Sequence, residues 1–281
     1  MTRILMTTDG VVRYAVERDW AKLPAGAEFG PISQLAVRRD GRVVVVQRSA
    51  PAVLVFAPDG RLETSWHHPQ LPSVHGVALD ADGNLFITSF DAHQVLRFDA
   101  QGGITLELGR FDHPSWGAPF NHPTDIAVAS DGEIYVTDGY GNARVHRFTP
   151  DGALIASWGA PGAAPGEFAC PHGIWVTADD RVLVLDRDNS RIQVFGRGGD
   201  LLAVWTGFTK PMDIWGSAGG DLFVSDQTPR IVRLDGNGRV KGAMRAFSVY
   251  PHGLWGDGEG NLFVAEQLPS GIAKYRMIGP A

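Results

Sequence analysis

Cysteine is nearly absent from the 281-residue sequence, which contains only Cys170. No disulfide can form within the chain, and this usage is typical of a reducing compartment. No apolar run approaches the roughly 20 residues that a membrane-spanning helix needs, and the first ten residues lack the apolar segment of a secretory signal. These absences predict a cytoplasmic protein that does not bind membranes.

Positive charge is also scarce. The chain has 25 Lys and Arg against 31 Asp and Glu, a net charge of −6, and the basic residues are scattered along it. Binding to a phosphate backbone needs a concentrated basic face, so nucleic acid is not an expected partner. Disorder is not expected either, because 44% apolar residues can form a large core.

No segment sustains a helical period of 3.6 residues with capping signals. Turn-forming residues are abundant instead, with 35 Gly and 18 Pro, and the glycines lack the three-residue period of collagen. Short apolar segments alternate with Asp-Gly, Asn-Gly and Gly-Gly turns. The pattern predicts an all-β protein with many short strands.

One unit of about 45 residues recurs six times along the chain. Each unit has three β-rich strands, and a weaker fourth strand follows in the first five. The first strands are predicted at Gln34–Val37, Gly76–Leu79, Asp125–Val128, Gly173–Val176, Asp213–Gly216 and Gly253–Gly256. Repeats of this length and content are typical of propeller blades, and these resemble NHL repeats. The sequence therefore predicts a six-bladed β-propeller of four-stranded NHL-type blades, forming a single domain over residues 1–281.

The sixth repeat lacks a fourth strand, because only six residues follow Tyr275. The strand-like segment Val11–Glu17 near the N-terminus belongs to no other repeat. We expect it to supply the outermost strand of the sixth blade and to close the ring, which removes an exposed sheet edge.

Histidine precedes the first strand in every second repeat. The residues at this position are, in chain order, Ser33, His75, Thr124, His172, Met212 and His252. A structural need of the repeat would place histidine in all six blades, and the first strands line the central channel, so we expect the three imidazoles to converge. Three neutral imidazoles can hold Zn²⁺ and leave a fourth position for water or substrate, although copper, iron, nickel and cobalt also bind imidazole.

Other residues near the predicted channel mouth depart from the repeat. Arg48, Tyr140 and Arg187 follow second strands, where most repeats carry Asp or Glu. Each arginine could form a structural salt bridge or hold a substrate carboxylate. Cys170, two residues before a predicted ligand, could be a thiolate ligand or a small core residue, and His93 could lie beside the site.

Several motifs resemble those of peptidyl-α-hydroxyglycine α-amidating lyases. They are His75-Gly, Asp91-Ala-His-Gln-Val, Pro123-Thr-Asp-Ile-Ala-Val, Tyr135-Val-Thr-Asp-Gly-Tyr-Gly-Asn-Ala-Arg, Pro171-His-Gly and Asp186-Arg-Asp-Asn-Ser-Arg-Ile-Gln. The resemblance implies a six-bladed propeller in which His75, His172 and His252 hold a catalytic zinc. It also implies cleavage of the N–C bond of an α-hydroxyglycine, which gives an amide and glyoxylate.

The same resemblance assigns roles to the other candidate residues. Tyr140 would act as the general base, and Arg48 or Arg187 would hold the carboxylate of a small-molecule or short-peptide substrate. Asn121 and Gly141 stand where the family has disulfide cysteines, as expected for a reduced protein.

Two further departures concern the third histidine. Gly253 replaces an Asp that serves a structural calcium in the family, which argues against that calcium, and Tyr250 replaces a Met. A cytoplasmic protein would rarely meet peptides made by a secreted monooxygenase, so the substrate could be another N-acyl hemiaminal acid. Two alternatives stay open: a zinc hydrolase that uses metal-bound hydroxide on an ester, lactone or amide, and a non-catalytic propeller that binds a protein partner.

Overall fold

The structure is a computed structural model and describes residues 3–280. Within this range the chain forms 25 strands and no helix, which confirms the prediction of an all-β protein. No helix of these residues is long and apolar enough to cross a membrane.

The strands are short and follow one another at regular intervals. In chain order they are β1 (Arg3–Met6), β2 (Val12–Glu17), β3 (Ile32–Val37), β4 (Val43–Gln47), β5 (Val53–Phe56), β6 (Leu62–Trp66), β7 (Val74–Leu79), β8 (Leu85–Ser89), β9 (Gln94–Phe98), β10 (Ile104–Gly109), β11 (Asp125–Val128), β12 (Ile134–Asp138), β13 (Arg144–Phe148), β14 (Leu154–Trp158), β15 (Pro171–Val176), β16 (Val182–Asp186), β17 (Arg191–Phe195), β18 (Leu201–Trp205), β19 (Pro211–Gly216), β20 (Leu222–Asp226), β21 (Arg230–Leu234), β22 (Val240–Arg245), β23 (Pro251–Gly256), β24 (Leu262–Gln267) and β25 (Ser270–Pro280).

Six sheets form the blades of a six-bladed β-propeller, as predicted. Five of them are four-stranded and consist of consecutive strands: β3–β6, β7–β10, β11–β14, β15–β18 and β19–β22. The sixth has five strands in the order β1-β2-β25-β24-β23. The pairing of β2 with β25 confirms that the segment predicted at Val11–Glu17 joins this sheet as its fourth strand, but the prediction that it is the outermost strand is wrong. The prediction missed β1, which pairs with β2 through a hairpin and lies outermost.

The chain divides into two compact units. The first unit contains the residues up to His67 and from Met212 onward, and the second contains His68–Pro211. The first unit thus holds the sheets that begin with β3, β19 and β1, and the second holds those that begin with β7, β11 and β15. A single domain over residues 1–281 stays a prediction.

The core lies among the first three strands of each sheet. Second strands such as β4 are completely buried, because their side chains are apolar on both faces. Fourth strands such as β6 and β14 are mostly exposed, which explains their weaker apolar pattern in the sequence. Strand Val182–Asp186 in the second unit is buried throughout in the same way as β4.

A network of charges joins two sheets of the second unit. The Glu133 carboxylate accepts hydrogen bonds from Nη2 and Nε of Arg147 at 2.6 and 2.8 Å and from the Tyr135 hydroxyl at 3.0 Å. Arg197 Nη2 lies 2.6 Å from the same carboxylate. The hydrogen bonds from Arg147, together with those from Arg197 and Tyr135, lower the pKa of Glu133 to about 2.

We expect Glu133→Gln to lower the free energy of unfolding by about 2 kcal/mol at pH 7, because charge-assisted hydrogen bonds are lost. The folded-state pKa lies below the ordinary value of 4.5, so this stabilisation is present above pH ~4.5 and is lost as the pH falls towards ~2. Denaturant unfolding at several pH values tests this. Glu17→Gln is the control, because it removes only an exposed ion pair with Arg276, and it should change the free energy of unfolding little. An equal loss of stability in both variants would contradict the prediction.

Candidate functional site

The three histidines that occupy equivalent positions in alternate repeats lie inside the first strands of their sheets. His75, His172 and His252 are each the second residue of a strand, in β7, β15 and β23. The prediction that the histidines precede these strands is therefore wrong, because each strand begins two residues earlier than predicted. Their side chains are buried, with 2 to 4% of each residue exposed.

A β-bulge explains the shift. In β15 the register changes between Pro171 and Gly173, and in β23 between Pro251 and Gly253, so that one extra residue lies in the bulge of each strand. That extra residue is the histidine. A bulge bends the strand locally and changes the direction of a side chain. The local geometry thus turns each of these imidazoles away from the regular alternation of the sheet.

Backbone carbonyl groups fix the tautomers of two of the rings. His75 Nδ1 lies 2.8 Å from the carbonyl oxygen of Thr124, and His252 Nδ1 lies 2.6 Å from that of Ser33. A carbonyl oxygen only accepts, so Nδ1 carries a proton, and in the neutral ring Nε2 then carries the lone pair. Metal-ligating histidines commonly have this arrangement, in which the second ring nitrogen is held by a carbonyl or carboxylate.

Tyr140 lies directly against two of the histidines within the second unit. Its hydroxyl oxygen is 3.0 Å from His75 Nε2 and 3.2 Å from His172 Nε2. The rings of His75 and His172 contact each other edge to face, with centroids 4.8 Å apart. One phenol oxygen and two imidazole nitrogens therefore point to the same small volume.

The loop that carries Tyr140 is held by buried polar contacts. Asp138, which ends β12, accepts hydrogen bonds from the backbone N–H of Asn121 and from the side chain of Asn142. A Cβ at Gly141 would lie 2.3 Å from Cγ of Asn121. The two positions at which the resembling lyases carry disulfide cysteines are thus in contact, and the Asn121 side chain occupies that space here.

The two candidate arginines lie in different units. In the second unit, Cζ of Arg187 is 5.6 Å from the Tyr140 ring centroid, and Nε and Nη2 donate to Asp188 at 3.2 Å. Burial disfavours its charge, yet the hydrogen bonds to Asp188 help to hold the pKa of Arg187 above its ordinary value. In the first unit, Nε of Arg48 donates to Oγ of Ser33 at 3.0 Å. Ser33 is the residue whose carbonyl holds the ring of the third histidine.

The three histidines form one group of possible metal ligands. Each offers one ring nitrogen as a possible ligand. Neutral imidazoles suit zinc, copper, iron or nickel, so these three histidines could bind a metal.

Cys170 does not join this group. Burial raises the pKa of its thiol to about 12, which disfavours the thiolate form that binds metals. Its backbone carbonyl accepts a hydrogen bond from the N–H of Arg187. The residue is only partly buried, so it does not belong to the fully buried core either.

Phe90 is a site residue that the sequence did not single out. Its ring centroid lies 6.2 Å from that of His75 and 5.7 Å from those of Tyr140 and His122. His93, which was predicted as a possible neighbour of the site, packs against His122, with ring centroids 4.3 Å apart. The only signal in the sequence was that Phe90 comes directly after a second strand. In the next repeat, Tyr140 comes two residues after the second strand.

Comparisons with known proteins agree with this architecture. Residues 120–148 and 168–195 match the family model of the NHL repeat. A solved structure of a streptogramin B lyase has a TM-score of 0.69 and 16% identity over 94% of this chain and 98% of that chain, which shows the fold alone. The chain is therefore an NHL-repeat β-propeller.

Sequence similarity narrows the class further. The chain is 39% identical over 132 residues to the peptidylglycine alpha-amidating monooxygenase of Rattus norvegicus, covering 43% of this chain and 13% of the rat protein. It is 30% identical over 199 residues to a probable peptidyl-alpha-hydroxyglycine alpha-amidating lyase of Caenorhabditis elegans, covering 61% of this chain and 57% of the nematode protein. The match thus spans a small part of the first relative and little more than half of the second. The chain is an amidating-lyase-like NHL protein.

Proposed function

We propose that the protein is a metal-dependent lyase, which cleaves the carbon–nitrogen bond of an α-hydroxyglycine-type compound and releases an amide and glyoxylate or a related oxo-acid. The observation that carries this proposal is the Tyr140 hydroxyl within 3.2 Å of Nε2 of both His75 and His172. The named lyase among the relatives supports the same reaction class.

The metal would be held by His75, His172 and His252. Imidazole binds a metal as a neutral ligand, so a divalent cation would keep its full charge there and lower the pKa of a nearby hydroxyl. Zinc suits three imidazoles with a fourth position open to substrate. No calcium is proposed, because Gly253 provides no carboxylate.

Tyr140 would move the proton that the reaction transfers. As a phenolate, favoured by the Arg187 guanidinium over its ring, it would accept the proton of the substrate hydroxyl. The oxygen electrons then form the new carbonyl bond, and the carbon–nitrogen bond breaks. Tyr140 returns the same proton to the departing amide nitrogen, so that no water is consumed.

The substrate would carry a carboxylate next to the reacting carbon. A guanidinium can bind both oxygens of a carboxylate at once, and Arg187 and Arg48 are the candidates for this contact. We propose a small molecule or short peptide as substrate, and for a cytoplasmic enzyme an N-acyl hemiaminal acid.

Elemental analysis combined with a product assay tests the proposal. We expect about one transition metal per chain, by analogy with other catalytic three-ligand sites, and release of glyoxylate and benzamide from N-benzoyl-α-hydroxyglycine. Chelation should abolish this release and zinc should restore it. Protein that contains metal but gives no oxo-acid would contradict the lyase, and hydrolysis of ester or lactone probes would then favour the hydrolase. Protein without metal would exclude both.

A further inference from the structure

The residue type also alternates between repeats at the position directly after the three histidines and their equivalents. The residues are Gln34, Gly76, Asp125, Gly173, Asp213 and Gly253. Glycine follows each histidine, and a carboxylate or amide stands in each of the other three repeats. The sequence shows this alternation, but only the contacts explain it.

Asp125 links two histidine strands within the second unit. Its Oδ2 accepts the backbone N–H of Ile174 at 3.0 Å, two residues after His172. A Cβ at Gly76 would lie 2.6 Å from its Oδ1 and 2.7 Å from its Cα, so β11 approaches β7 closely only because that residue is glycine. The preceding carbonyl, of Thr124, holds the ring of His75.

Asp213 makes the same contact in the first unit. Its Oδ2 accepts the backbone N–H of Leu254 at 2.5 Å, again two residues after a histidine, and its Oδ1 accepts the N–H of Ile214 at 2.8 Å. The residue is 3% exposed, and burial raises the pKa of its carboxyl even though these hydrogen bonds oppose the rise. Burial of a carboxylate is costly, and here the group is used to hold backbone next to a candidate ligand.

We propose that Asp125 and Asp213 are positioning residues of the metal centre, which set the direction of His172 and His252 through the backbone two residues further on. This inference rests on the proposed metal site. The histidine in each bulge has no register partner in the neighbouring strand, so the backbone on its C-terminal side contributes to where the imidazole points. Outer partners of metal ligands typically change metal affinity by about 10- to 100-fold when they are removed.

The decisive variants are Asp125→Ala and Asp213→Asn. Alanine removes the acceptor of the Ile174 N–H. Asparagine keeps one accepting oxygen and carries an NH2 group in place of the other, so Asp213→Asn turns a donor towards the N–H of Ile214 or of Leu254. Asp226→Asn is the matched control, since Asp226 is equally buried but binds Thr228 and Arg230 in its own loop. Zn²⁺ affinity is measured by competition with a chelator, and the geometry is followed by the visible absorption of the Co²⁺-loaded protein.

We expect about 10- to 100-fold weaker Zn²⁺ binding and a changed Co²⁺ spectrum in both test variants, but not in Asp226→Asn, even where all three lose stability. Unchanged affinity and spectrum in the test variants would overturn this proposal and leave the metal site intact. Wild-type protein that binds no metal would overturn the proposed function as well. If Asp125→Ala does not fold, Asp213→Asn and the longer Asp125→Glu provide the same comparison.

Discussion

His172→Ala is expected to remove the metal and the lyase activity together. His172 Nε2 lies 3.2 Å from the Tyr140 hydroxyl, at the point where metal and base would act on one substrate oxygen. Two imidazoles bind a divalent metal far more weakly than three, so we expect metal affinity and kcat/KM to fall by at least about a hundredfold.

The control for this variant is His67→Ala, which removes an exposed imidazole. It should retain both metal and activity. Far-ultraviolet circular dichroism should show the same β-structure for both variants, because the substituted side chains do not pair strands. A His172→Ala protein with full metal content and full activity would exclude the three-histidine site.

Much of the fold is visible in the sequence because each blade is a local structure. Its strands are close in the chain, so the apolar segments and turns repeat at a nearly constant spacing. The strand Val12–Glu17 was predicted by elimination, since the sixth repeat lacked an outer strand. The segment Arg3–Met6 gave no such signal, because nothing in the repeat requires a fifth strand.

The candidate site is only partly visible for the opposite reason. The alternate histidines could be found because they occupy equivalent positions, and the bulges that hold them shifted the strand starts by two residues. The contacts of Phe90 and the carboxylate of Asp125 join residues from different repeats. Such contacts depend on how neighbouring strands pack, and a periodic pattern in one strand does not contain that information.

The lone cysteine also has a clearer meaning. Its raised pKa disfavours the thiolate that a metal would need, and the residue is only partly buried. Where resembling lyases use a disulfide beside the tyrosine loop, this chain has Asn121 against Gly141, with hydrogen bonds to Asp138. The loop is thus held in place by hydrogen bonds.

Tyr140→Phe is expected to lower kcat by about 10²- to 10⁴-fold, the usual contribution of a general base, and to leave the metal in place. Phenylalanine keeps the ring contacts with His75 and Phe90, whose centroids lie 5.3 and 5.7 Å away, and removes only the oxygen. In the wild type, deprotonation of the base makes kcat rise with pH. In Tyr140→Phe this rise should be absent from the remaining activity. Tyr135→Phe, which removes a hydroxyl bonded to Glu133, is the matched control and should keep the wild-type profile. Metal-loaded Tyr140→Phe with wild-type kcat would show that another group moves the proton.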